Sequence, residues 1–134
     1  MPAKVLALPQ LNCPEAPLFV QLDPAALANL QDLYGDDAVG FRELVASFLG
    51  TAQVLQHQIN AGLQSSDIKS IFRAAHTLRS SAALFGAAEL AAACHQLEVQ
   101  ALQPPDWAVI ERDAGVVLRL LDDAVTAIAR LCHE

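Results

Sequence analysis

The stretch "SDIKSIFRAAHTLRSSAALFG", residues 66–86, decides the fold. Ile68, Ile71, Ala75, Leu78, Ala82 and Phe85 recur at spacings of three and four, which is one face of an α-helix. The helix is expected to start near Ser66 and to run to about Phe85, with Gly86 as its stop.

The same period appears on both sides of this stretch. Phe41, Leu44, Val45, Phe48, Ala52, Leu55 and Ile59 form one face of a long helix from residue 36 to about 61, and Gly62 with "QSSD" is read as the turn that follows. Leu90, Cys94, Leu97 and Ala101 are in register on a helix from residue 87 to about 102. "QPPDW" ends that helix, since Pro104 lacks a backbone donor and its ring crowds the preceding turn. A last helix is expected from residue 106 to about 131. Upstream, "LDPAALANLQDLYGDD" gives a short leading helix, with Asp23 as N-cap and Pro24 at the first helical position. No stretch alternates as a strand does. Four long amphipathic helices with short connections bury their stripes most simply as an antiparallel up-down four-helix bundle, here with a short additional N-terminal helix. The expected domain is residues 23–134. Residues 1–22, with Pro2, Pro9, Pro14 and Pro17, read as a tail or interdomain linker.

At about 100° per residue, His76 lies about 160° from Leu78, so its imidazole is expected to point away from the core. Lys69, Phe72, Arg73, Arg79, Ser80 and Ala83 share that outer face. Lys69, Arg73 and Arg79 are three of the eight cationic residues of a chain whose net charge is −7, and no acid lies between Ile68 and Gly86. A local basic patch therefore surrounds one histidine. Phe72, one turn before it, is a candidate apolar contact for a partner. A neutral imidazole is a good nucleophile near neutral pH. Phosphoryl transfer asks for little beyond an in-line nucleophile and cations near the equatorial oxygens. Small residues at 80 and 83 leave room for a phosphoryl group and an approaching partner. The plainer alternative is a solvated helix face. His57, His95 and His133 show no comparable setting and are read as ordinary surface or helix-end residues.

Composition removes several classes. The acidic balance argues against nucleic acid, whose phosphates need a basic surface. No apolar run is long enough to span a bilayer, and "MPAKVLALPQLNCPEAP" is too weak for a secretory signal, so a cytoplasmic location without direct membrane contact is expected. Cys13, Cys94 and Cys132 contain no CxxC pair; Cys94 and Cys132 read as small core residues, and no metal site is expected.

"AHTLRSSAALFGAAELAAACHQLE", residues 75–98, resembles the histidine-containing phosphotransfer (HPt) domain family of bacterial multistep phosphorelays. His76, Leu78, Ser81, Ala82, Phe85, Gly86, Ala87, Leu90, Cys94, Leu97 and Glu98 match its pattern. The lead-in "LDPAALANLQDLYGDDAVGFRELVASFLGTAQVLQHQI" is also similar, so the resemblance covers about residues 22–131. It implies a monomeric four-helix bundle, without cofactor, whose exposed His76 takes a phosphoryl group from a receiver-domain aspartate and passes it on. Arg79 stands where the family has a lysine that helps neutralise the phosphoryl oxygens; a guanidinium is a planar, always charged fork. Ser80 departs from the usual glycine and lies one turn from the imidazole. Lys69, Phe72, Arg73 and Ala83 are the expected partner contacts, the partners being receiver domains of response regulators or hybrid histidine kinases. The Arg-Ser pair also looks like HPt domains at the C-termini of some hybrid sensor kinases.

Two other classes stand beside this reading. One is a helical-bundle binding module that sequesters a signalling partner without phosphotransfer. The other is an enzyme, which the residues disfavour: there is no ExxH pair, no GxSxG and no phosphate-cradling glycine loop. Without a nucleotide site the protein must be fed by a donor.

Overall fold

The structure, a computed structural model, describes residues 21–132. The expected tail therefore lies outside the described residues except for Gln21 and Leu22, as do Cys13 and His133.

Five helices follow one another: α1 (Pro24–Tyr34), α2 (Ala38–Ser65), α3 (Ile68–Leu84), α4 (Ala88–Ala101) and α5 (Trp107–Arg130). Four of the five start on an aspartate whose carboxylate takes up an orphan amide of the first turn. Asp23 accepts from Ala25 at 3.1 Å, Asp37 from Gly40 at 2.9 Å, Asp67 from Ser70 at 3.2 Å and Asp106 from Val109 at 3.4 Å. At Asp67 the cap is doubled, because the Ser70 hydroxyl also donates to the carboxylate at 2.9 Å. These hydrogen bonds hold the Asp67 carboxyl below its ordinary value of 3.8.

The connections are short. Helix α2 runs on through the expected turn at Gly62 to Ser65, and Ser66 makes the stop in the left-handed region at φ 54°. Gly62 is instead a point of close approach: a Cβ there would lie 2.7 Å from Ile71 Cγ1 and 3.2 Å from the Asp67 carbonyl. Its own carbonyl accepts from the Asp67 amide at 2.9 Å, closing the hairpin between α2 and α3. At the other end of α3, Gly86 stands at φ 77°; its amide donates to Ala83 at 3.0 Å and the Ala87 amide to Ala82 at 2.9 Å. That is the Schellman closure expected of a glycine stop. The Gly86 carbonyl then accepts from the Asp23 amide at 2.8 Å, and Leu22 forms an antiparallel bridge with Ala87. The entry to α1 is thus tied to the α3–α4 turn.

Helix α3 packs between α2 and α4, α5 closes the ring against α4 and α2, and α1 rests on α2 and α3. The fold is the expected all-α bundle. Val45, Phe48, Ala52, Leu55 and Ile59 of α2 meet Ile71, Ala75, Leu78, Ala82 and Phe85 in one core, with Leu90, Cys94 and Leu97 of α4 and Ile110, Ala114, Val117, Leu121, Ala124 and Ile128 of α5. Each fully buried Leu, Ile or Phe contributes roughly 1.5–3 kcal/mol relative to exposure. Phe41, Leu44 and Ile68, assigned to the core faces, lie at the edge and are only half-buried. Burial pushes the Cys94 thiol up to about 12, which makes it an unreactive core group. Among the described residues no helix is long and apolar enough to cross a membrane, and no group of His, Cys, Asp and Glu could hold a metal ion.

Candidate functional site

His76 sits in the middle of α3 on the face away from the core, since its neighbours Ala74, Ala75 and Leu78 take the buried positions. Its side chain is 57% exposed. The ring is nevertheless held from two sides. Phe72, one turn earlier and half-buried, stacks on it with centroids 5.9 Å apart and planes 15° apart. Glu98 of α4 accepts a hydrogen bond from Nδ1 at 2.7 Å.

Glu98 is the residue that the sequence reading left without a role. It borders the apolar stripe of α4, one turn after Cys94, and only 6% of its side chain is exposed. A buried carboxylate needs partners, and His76 and Arg79 supply them, with His95 close by. His76 takes Oε1, while Arg79 Nε approaches Oε2 at 3.4 Å and His95 Nδ1 at 3.7 Å. An acid at the edge of an apolar stripe was the available signal. What faces it depends on how α4 lies against α3.

Arg79 is therefore committed to α4: besides Glu98, its Nη1 donates to His95 Nδ1 at 3.1 Å. The cations beside the histidine that lie outside this cluster are Lys69 and Arg73, both exposed and neither in an ion pair among the described residues. His95 departs from the reading as an ordinary surface residue, because the i,i+3 spacing to Glu98 and the approach of α3 bring it to the same cluster. Ser80 is exposed, and its hydroxyl makes no hydrogen bond to another described residue. Thr77 and Ala83 are exposed as well, which leaves the surface beyond His76 low and open.

A groove of about 250 Å³ runs from this site along the start of α3 and the end of α4, lined by Ile68, Lys69, Phe72, Arg73, Ala101 and Leu102. Leu102 is an exposed apolar residue at its rim. Another groove, of about 330 Å³ between α2 and α5, is lined by Leu49, Gln53, Asp122 and Val125 among others and offers neither a histidine nor a cation.

The Hpt domain family model matches residues 43–131, which include His76, Glu98 and all four long helices apart from the start of α2. The chain belongs to the Hpt domain family. Hpt domains are phosphocarriers without a kinase ATP site and work with receiver domains. Among solved structures, histidine-containing phosphotransfer protein B (HptB) of Pseudomonas aeruginosa PAO1 has the same fold, with a TM-score of 0.71. It is 22% identical, and the match covers 84% of this chain and 94% of that one. No curated protein sequence matches.

Proposed function

We propose that this Hpt domain is a phosphorelay intermediate in which His76 takes a phosphoryl group from the aspartyl phosphate of one receiver domain and gives it to the aspartate of another. The supporting observation is the 2.7 Å hydrogen bond from His76 Nδ1 to a buried carboxylate, on a side chain that is 57% exposed. An ionised carboxylate only accepts, so Nδ1 carries the proton and the lone pair stays on Nε2, at the far side of the ring.

The chemistry balances on these two atoms. The Nε2 lone pair attacks phosphorus as the aspartyl O–P bond breaks, and the receiver carboxylate leaves with the electron pair. The ring then bears Nε2–P and Nδ1–H and a positive charge. Glu98 faces that charge, as the acid of a catalytic triad faces its imidazolium. Passage to the second receiver reverses the step, and the ring returns to neutral. Arg79, at the edge of the same carboxylate, supplies a guanidinium within reach of the phosphoryl oxygens.

Lys69 and Arg73 give the docking face a positive charge against the acidic receiver site, and complementary charge speeds encounter. Phe72, Ala83 and the groove toward Leu102 supply the apolar contact. A small contact is expected there, which suits a transient partner.

The test is transfer from a phosphorylated receiver domain to the protein and to His76→Gln. Label that is acid-labile and base-stable, present only in the unaltered protein, is the expected result. Absence of label with several receivers, together with receiver binding that survives His76→Ala, would favour the binding-module reading.

A further inference from the structure

Two imidazoles flank Glu98. His76 and His95 are almost equally open, 57% and 59% exposed, and both turn Nδ1 toward the same carboxylate. Exposure therefore does not separate the nucleophile from its neighbour. Hydrogen-bond chemistry does. His76 Nδ1 faces an oxygen that only accepts, so it carries the proton. His95 Nδ1 lies 3.1 Å from Arg79 Nη1, and a guanidinium only donates. His95 Nδ1 must therefore hold a lone pair, and its proton sits on Nε2. The competing arrangement, His95 Nδ1 donating to Glu98 Oε2, would span 3.7 Å, beyond hydrogen-bond range.

We infer that the Arg79–Glu98 pair sorts the two exposed imidazoles into opposite tautomers, and that His95 is a positioning residue for Arg79. The functional consequence rests on the phosphotransfer reading; the tautomers do not. The solvent side of His76 offers a lone pair, whereas that of His95 offers an N–H that cannot attack phosphorus. His95 also gives the guanidinium a second anchor. With Nε on Glu98 and Nη1 on His95, the long side chain is fixed beside His76, and its other N–H groups stay available to phosphoryl oxygens. A lysine has no planar fork with which to bridge both anchors.

Long-range proton–nitrogen spectra of the imidazoles, recorded over a pH series so that the neutral form of each ring is identified, read the tautomers directly. His76 is expected as the Nδ1–H form and His95 as the Nε2–H form. In Arg79→Met, His95 is expected to lose its preference while His76 keeps its own. Either ring in the other tautomer in the unaltered protein overturns the assignment. Single-turnover transfer at saturating receiver tests the positioning role. His95→Leu is expected to slow it roughly three- to tenfold, the loss of about one hydrogen bond. His95→Asn, whose Oδ1 takes the place of Nδ1 as acceptor, is expected to recover most of the rate. Equal rates in the unaltered protein and His95→Leu would overturn it. If the unaltered protein takes no label at all, the phosphotransfer reading fails, and the spectra decide the tautomers on their own.

Discussion

Removing the carboxylate of Glu98 separates its two tasks, holding the His76 ring and facing the charge that the ring acquires. In Glu98→Gln the amide oxygen still accepts from Nδ1, but the negative charge is gone. A hydrogen bond to a charged group contributes about 1.5–3 kcal/mol against about 1 for a neutral one. The further attraction once the ring turns positive, taken as the same size as that difference, is about 0.5–2 kcal/mol and falls on the transfer step. At about 1.4 kcal/mol per factor of ten, the expected slowing is about tenfold. Glu98→Ala removes the acceptor altogether, frees the ring to turn and releases Arg79; the expected slowing is roughly 10- to 150-fold. Stability should change by no more than about 1 kcal/mol, because His76 and Arg79 are solvent-accessible side chains that water can resolvate. The assay is single-turnover transfer over a range of receiver concentrations, with thermal melts on the same samples. Since Glu98 lies beneath the surface, the loss should appear in the limiting rate and not in receiver affinity. Glu98→Ala that transfers at the unaltered rate would refute the reasoning. So would a loss confined to affinity.

Phe72→Ala removes both the stack on His76 and the wall of the groove, and is expected to weaken receiver binding about tenfold with little change in melting temperature, read by titration calorimetry. Ser80→Gly is expected to change the transfer rate modestly, because the hydroxyl lies one turn from His76; identical kinetics in the two proteins would show that Ser80 is silent. Gly86→Ala places a Cβ 2.7 Å from the Asp23 amide at φ 77° and should cost about 2–4 kcal/mol in chemical denaturation. Gly50→Ala, with open space around the new methyl inside α2, should instead stabilise by about 0.5–1 kcal/mol. The Asp67 cap has a pH signature. Its carboxyl is held below 3.8, so its contribution is present above that value and is lost as pH falls further. The difference in melting temperature between the unaltered protein and Asp67→Asn should follow that course.

The sequence by itself determined the helices, because each depends on local terms. Spacings of three and four set the buried faces, Asp23 with Pro24 set the start of α1, and Gly86 set the stop of α3, while the caps at Asp37 and Asp67 fall one residue beyond the starts that the sequence suggests. The outward direction of His76 followed from the same geometry. Local terms misled at Gly62, which reads as a breaker, yet α2 continues through it and the glycine lets Ile71 of α3 approach closely. Only the tertiary structure decided the chemistry around the histidine. Arg79 reads as a free cation on the outer face of α3. It is tied down because the packing of α4 against α3 sets His95 and a buried carboxylate beside it. Glu98 is 22 residues from His76, and helical periodicity relates side chains only within one helix. Which atom of which neighbour meets the imidazole is fixed by the rotation and rise of two packed helices, and no spacing within either one contains that information.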